Sequence, residues 1–353
     1  MEGALMNHLL SPALESLPAP ARASQRLPQT VRPMHNWAIV LAGGEGRRLR
    51  PLVRRLFGDD RPKQYIQLLG PTSLLRQTLD RVARLIPAER TVVVSRAEHA
   101  RYIARELGAG PAPRVLLQPE DRGTSAAVLF AAHMIRRWDP EATIAVLPSD
   151  HFIREEDRFL GHLAEVAAVV ERHPQWMVLL GARPSTPEIE YGWIKPGAPL
   201  SETSDGLVCR VQGFLEKPGL ETAQRCLSTG WLWNTFAFVT TLPTLLDVGR
   251  QFLPEVDARL KLINAFERSG DGVWAIRQAY ALAPKSDFSR DVLVRCPPSL
   301  AVSLLPPLTW SDLGTPRRVV AAASSLTVRP FWMTAGRGTL NALTIIMRES
   351  SAT

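Results

Sequence analysis

Residues 37–52 read WAIVLAGGEGRRLRPL, an apolar run that breaks into three glycines and three arginines. WAIVLAGG has the pattern of a buried strand running into a glycine turn. Glycines let a backbone approach a ligand closely, and successive N–H groups wrap an oxyanion. Arg48 adds a planar guanidinium able to grip phosphate with two hydrogen bonds. No GxxxxGK[ST] follows the strand and the glycine spacing is not GxGxxG, so this is neither a P-loop nor a dinucleotide fingerprint. The residues alone leave two readings, an anion-holding loop or a tight turn with solvated arginines.

Working outward, strand and helix patterns alternate. SLLRQTLDRVARLI (73–86) carries apolar residues at helical spacing, RTVVVS is a strand, and a helix follows around 97–107. The strand RVLLQPE, the helix TSAAVLFAAHMIRRW and the apolar strand TIAVLPSD come next. Such alternation predicts an α/β fold with a doubly wound, mostly parallel central sheet flanked by helices. Ligands collect at the carboxyl ends of strands in such sheets, which would place Gly43–Arg48, Gln118–Thr124 and Pro148–His151 along one rim. The second half is less regular. Strands are expected at WMVLLGA, VCRVQGFLEKP and TFAFVTT, with a Pro-rich loop at 183–200 and helical, mostly structural residues at 253–280.

Composition narrows the function classes. The chain has 353 residues, 45% of them apolar, and a formal net charge of +8. The basic residues form no block and no aromatic-basic interleaving, so no nucleic-acid partner is expected. No apolar stretch is long enough for a membrane span. Arginine dominates the cations, and lysine occurs only at 63, 195, 217, 261 and 285, which makes each lysine informative. Cys209, Cys226 and Cys296 are widely spaced, without a CxxC pair, and fit reduced thiols in a cytoplasmic protein. Residues 1–34 are rich in Ala, Pro and Ser, and read as a disordered extension or a mis-assigned start before Met34. Periodicity fades after about residue 323, so 324–353 is a weakly patterned C-terminal tail.

Six further segments follow the glycine loop in a definite order: RPKQY (61–65), LPSDH (147–151), EYGWIKPG (190–197), FLEKP (214–218), LWNTFAFV (232–239) and TWSDLG (309–314). In this order they resemble the sugar-nucleotide pyrophosphorylases, and among them the bacterial mannose-1-phosphate guanylyltransferases, over roughly residues 36 to 322. The resemblance implies a Rossmann-like, GT-A-like nucleotidyltransferase domain over 35–323, with a nucleotide half (about 35–150) and a sugar half (about 151–323). It implies GTP and mannose-1-phosphate as substrates and Mg²⁺ as cofactor. A homodimer is left open, and with only about thirty residues after the domain a single-function enzyme is expected.

By the same resemblance Leu41, Ala42, Gly43, Gly44 and Gly46 hold the nucleotide, together with Gln118, Arg122 and Thr124, the last capping the following helix. Arg48, Lys63 and Asp150 are the catalytic candidates, and Asp150 and Asp312 the metal ligands. Two carboxylates are a sensible minimum, because Mg²⁺ takes the rest of its shell from phosphates and water. Gly192, Glu216, Lys217 and Asn234 form the sugar-phosphate site, Lys217 holding the phosphate and Trp193 or Trp233 offering an apolar face to the ring. His151 is expected to pack or hydrogen-bond, and Asp59-Asp60 to be solvated. The chain departs from the family's usual W-N-S-G at Thr235 and Phe236, and from its usual G-R-N-T at Asp121 and Gly123. No Ser-His-Asp or Cys-His arrangement is present, which suits a reaction whose nucleophile, a sugar phosphate, is already anionic. The alternatives are a pyrophosphorylase for another hexose and base, or a catalytically silent regulatory subunit.

Overall fold

The structure, a computed structural model, describes residues 35–107, 112–266 and 271–334; the expectations for residues 1–34 and 335–353 lie outside the described residues. The strands are β1 (Asn36–Leu41), β2 (Thr91–Arg96), β3 (Arg114–Gln118), β4 (Thr143–Pro148), β5 (Phe152–Ile153), β6 (Met177–Ala182), β7 (Gly192–Thr203), β8 (Gly206–Glu216), β9 (Leu232–Thr241), β10 (Leu300–Leu304) and β11 (Trp310–Ser311). One large sheet has the order β3-β2-β1-β4-β9-β6-β10-β8-β7, while β5 and β11 form a separate antiparallel pair. Strands β1 to β4, β6, β7 and β10 run one way, and β8 and β9 run against them. The α/β expectation with a mostly parallel sheet therefore stands.

The near-continuous apolar runs of β1, β2, β4 and β6 reflect burial on both faces, as parallel sheets require. One face packs against the helices Gly123–Trp138, Leu242–Phe252 and Pro254–Lys261, with Phe130, Phe238 and Tyr280 in its core. The other packs against Leu74–Ala83, Ala100–Leu107 and Glu156–Arg172, around Tyr65, Trp193 and Val239. A third, smaller core joins the helix after the glycine loop, Arg50–Phe57, to the helix Pro316–Ser325 through Leu52, Leu313, Val319 and Trp332. Trp332 lies in the segment expected to be a weak tail. It is buried and donates its indole N–H to the Leu68 carbonyl at 2.8 Å.

One expectation needs correction, and one strand was not foreseen. Residues 192–203 are a long strand, β7, where prolines suggested a loop. Pro196 and Pro199 sit at register shifts against β8, the irregular positions where a residue without an N–H costs no ladder bond. The short run LAVSL, not recognised as a strand, is β10, inserted between β6 and β8.

Candidate active site

Register builds the site's first edge. Leu41 at the end of β1 pairs with Pro148 at the end of β4, and the Ser149 N–H donates to the Leu41 carbonyl at 3.1 Å. Gln118, ending β3, pairs with Arg96, ending β2. The glycine loop, the Gln118–Thr124 turn and the Pro148–His151 turn thus share one rim. Leu41, Gly43, Gly44, Gln118, Thr124, Asp150 and Phe236 line one depression there. Gly46, Arg48, Lys63, Leu313 and Gly314 line a second, and Asp150 borders both.

The last two residues of the RPKQY segment, with Ser95, hold the loop. The buried Ala42 carbonyl accepts from Gln64 Nε2 (2.9 Å), the Tyr65 hydroxyl (3.0 Å) and Ser95 Oγ (3.1 Å), and Gln64 also donates to the Gly44 carbonyl (2.7 Å). Burial pushes the Tyr65 phenol up to about 12. The RPKQY segment therefore clamps the loop through its last two residues. Gly46 has φ 61°, and a Cβ there would stand 3.1 Å from the Lys63 backbone N, so the turn needs glycine. Glu45 binds Arg47 and Arg96, and hydrogen bonds from these two guanidinium groups hold its carboxyl down at about 2.

Lys63 is the pin of the site. Its ammonium lies 3.1 Å from Asp150 Oδ2, 2.5 Å from the Asp312 carbonyl and 3.5 Å from the Leu313 carbonyl. Asp312 arrives because β11 pairs with β5, Ser311 opposite Phe152, directly after the LPSDH turn. Its Oδ1 accepts from the Tyr191 hydroxyl (2.8 Å), the Gly314 N–H (2.9 Å) and Arg318 (3.0 Å). Burial opposes ionisation of Asp312, but Arg318, Lys63 and Tyr191 outweigh it and keep the carboxyl below its ordinary value. Arg318 also pairs with Glu188 and lies 4.2 Å above the Tyr191 ring. Arg48 is paired with Glu190. His151 packs edge-on against Trp310, and burial lowers its pKa to about 4, so the imidazole is neutral.

The turn after Gln118, expected to hold the nucleotide, differs from expectation in two places. The helix begins at Gly123, so Thr124 is not its cap; Thr124 Oγ1 accepts from the Phe288 N–H at 2.8 Å, and Asp121 takes the Gly123 N–H at 2.9 Å. Arg122 points to Glu120 and the Ala281 carbonyl, away from the rim depression. Gln118 Oε1 accepts from the buried Tyr280 hydroxyl at 3.2 Å, and its Nε2 turns toward Gly43.

Gly192, Glu216 and Asn234, expected at the sugar-phosphate site, meet on one face of the sheet. Gly192 pairs with Glu216, and a Cβ at 192 would meet Glu216 Oε2 at 2.8 Å and the Asn234 Cβ at 3.2 Å. Burial raises the Glu216 pKa. Lys217 Nζ is half exposed, 3.9 Å from Glu216 Oε1. Trp193 pairs with Trp233 on the opposite face, because successive strand residues alternate sides, and Trp193 is fully buried with its N–H on the Glu188 carbonyl. Neither indole can be the ring platform beside Glu216. Phe236 takes that side instead, lining the rim depression with its backbone N–H bound to Asn234 Oδ1 at 3.0 Å. Lys217, Phe236 and Leu313 hold positive φ without being glycine, at 51°, 59° and 50°, as does Cys296, which lines neither depression, at 45°. Such strain collects where surrounding structure fixes a functional geometry.

Asp59 and Asp60 pair with Arg61 and Arg54 at the surface, apart from these groups. The cysteines are free thiols. No helix among the described residues is long and apolar enough to cross a membrane.

The chain is similar over most of its length to known proteins. "Xanthan biosynthesis protein XanB" of Xanthomonas campestris pv. campestris (strain B100) is 34% identical over 78% of this chain and 57% of its own length. "Mannose-1-phosphate guanylyltransferase" of Escherichia coli (strain K12) is 29% identical over 79% and 58%. The chain thus spans a little over half the length of these relatives. The crystal structure of "mannose-1-phosphate geranyltransferase" from Thermus thermophilus matches with a TM-score of 0.70 and 31% identity, over 82% of this chain and 80% of that one. The model of the Nucleotidyl transferase family matches residues 37–328, from the first strand past the Asp312 segment, and the chain belongs to that family.

Proposed function

We propose that the protein transfers a nucleotidyl group from a nucleoside triphosphate to a sugar-1-phosphate, and that the pair is GTP and mannose-1-phosphate, giving GDP-mannose and pyrophosphate. The observation that carries this reading is the position of Asp150. It borders both the depression beside Gln118 and Thr124, suited to a nucleoside, and the basic depression of Gly46, Arg48 and Lys63, suited to a polyphosphate tail. The α-phosphate of a triphosphate spanning the two falls at their junction. The names of the relatives support the choice of sugar and base.

A phosphate monoester has a second pKa of about 6, so the sugar phosphate attacks the α-phosphorus as an anion without a protein base. A P–O bond forms there as the bond to the β-phosphate breaks, and pyrophosphate leaves. The chain's task is alignment and charge neutralisation. Arg48 and the loop N–H groups hold the β- and γ-phosphates, Arg48 leaving Glu190. Lys63 leaves one of its three acceptors to meet the α-phosphate. Lys217, set at the strand end by its strained backbone, holds the sugar phosphate, while Glu216 and Asn234 take sugar hydroxyls.

The acidic donors fit Mg²⁺, which prefers hard oxygen ligands. Asp150 Oδ1 lies 3.9 Å from Nε2 of the neutral His151, and the hydrogen bonds that Tyr191, Gly314 and Arg318 give the Asp312 carboxylate fall on its Oδ1. Bound there, Mg²⁺ would neutralise charge on the reacting phosphates. The test is pyrophosphate release by the purified protein with Mg²⁺, crossing mannose-1-phosphate and glucose-1-phosphate with GTP, ATP, CTP and UTP. Release with GTP and mannose-1-phosphate alone is expected. Release with another pair replaces the substrates, and silence from a folded protein that binds nucleotide identifies a regulatory subunit.

A further inference from the structure

Beside the middle of the helix Glu156–Arg172, three groups outside the nucleotidyl site converge. His162 and Glu165 lie one turn apart on that helix, and Asp205 sits in the turn between β7 and β8. One ligand atom from each lies within 4.8 Å of the other two. His162 is 1% exposed, yet its Nδ1 has no hydrogen-bond partner; Asp205 Oδ2 is the facing oxygen at 3.7 Å, too far for a hydrogen bond. Leaving a buried imidazole nitrogen aimed at a carboxylate without a bond is costly.

We propose that His162 Nδ1, Glu165 and Asp205 form a second metal site, one that binds a divalent transition ion of the Zn²⁺ class and clips the β7–β8 turn to the helix. An imidazole nitrogen among the ligands selects Zn²⁺-like ions over Mg²⁺ or Ca²⁺. Tetrahedral bonds of about 2.0–2.1 Å put ligand atoms about 3.3 Å apart, so the groups need to close by an ångström or so. The outer shell is in place. His162 Nε2 is 3.1 Å from the buried Ser303 Oγ on β10, and a proton on Nε2 leaves the Nδ1 lone pair facing the carboxylates. The Glu165 oxygens accept from Ser204 N (2.8 Å) and Ser204 Oγ (2.5 Å), which orients them. Burial lowers the His162 pKa and Ser204 lowers that of Glu165, so the imidazole is neutral and this carboxyl ionised, the states a metal needs. Among the described residues neither carboxylate forms an ion pair with lysine or arginine.

The test is titration of the metal-free full chain with Co²⁺, read by its visible absorption, followed by displacement with Zn²⁺. Asp150→Asn serves as the background, so that the nucleotidyl site does not contribute. One Co²⁺ per chain is expected, with affinity at least tenfold weaker in both Asp205→Asn and Glu165→Gln, changes at positions that leave the core intact. In a protein with Asp150 restored, Asp205→Asn leaves Mg²⁺-dependent pyrophosphate release unchanged. Failure of the Asp150→Asn background to bind Co²⁺, or binding by both variants equal to that background, overturns the proposal.

Discussion

Replacing Gly123 by alanine tests how the nucleotide turn is built. Gly123 has φ 83°, and a Cβ there would stand 2.0 Å from the Ser286 carbonyl oxygen, where ordinary contact begins at 3.4 Å. An L-residue in this left-handed region costs about 1–2 kcal/mol. Retreat of the Ser286 carbonyl breaks the bonds Ser286 N–H to Arg122 O (3.0 Å) and Ser125 N–H to Ser286 O (3.4 Å). At about 1 kcal/mol each, these bring the expected loss to about 3–4 kcal/mol. Urea denaturation measures it directly. A matched control is Gly161→Ala, at an exposed helix position where the new Cβ meets nothing within 4 Å. That change should stabilise by about 0.8–1 kcal/mol, because alanine is the better helix former. A Gly123→Ala protein within about 0.5 kcal/mol of wild type, beside a control that behaves as expected, would refute the argument that backbone contact with Ser286 dictates this glycine.

Three more expectations bear on the site. Asp150→Asn should lose most turnover at unchanged stability, and normal pyrophosphate release would remove Asp150 from the reaction. Tyr280→Phe deletes only the hydroxyl that fixes the Gln118 amide, so the nucleotide KM should rise about fivefold to tenfold, the equivalent of one hydrogen bond, while kcat holds; a lower kcat with unchanged KM would contradict this positioning. Glu45 has a folded pKa of about 2 against 4.5, so its contribution is complete above pH 4.5 and disappears as pH falls toward 2. Solvent screening limits it to on the order of 1 kcal/mol. Glu45→Gln should therefore narrow the stability difference from wild type as pH drops below 4.5, and a difference independent of pH would count against the ion-pair cluster.

Much of the scaffold is legible in the sequence because its signals are local. The apolar runs of β1, β2 and β4 and the helical spacing of 74–83 reflect burial that each segment carries in its own composition. β10 was hidden because a five-residue apolar run has no period of its own, and β7 because its prolines are tolerable only at the irregular register that β8 provides. Among site groups, Lys63 stands out as a rare lysine in an arginine-rich chain, and Asp150 as a carboxylate at the end of a core strand. Gln64, Tyr280 and Arg318 do not, since a glutamine, a tyrosine or an arginine acquires its role only from what it meets across the chain. Trp193 shows the reverse error: a plausible sugar platform by type, it is excluded by strand alternation.

The sequence by itself determined the alternating α/β layout, the glycine loop behind the first strand and the order of segments that marks the family. Those features depend on burial and backbone freedom over a few residues. Only the tertiary structure decided that Asp312, reached 249 positions after Lys63, comes to its ammonium. The β5–β11 pair and the third core, with Leu313 between two helices, set that contact. It likewise set Arg122 outside the rim depression, turned Phe236 into it, and left the Nδ1 of His162 facing two carboxylates. Such contacts are set by register and packing between distant segments, and no window of the sequence contains both partners.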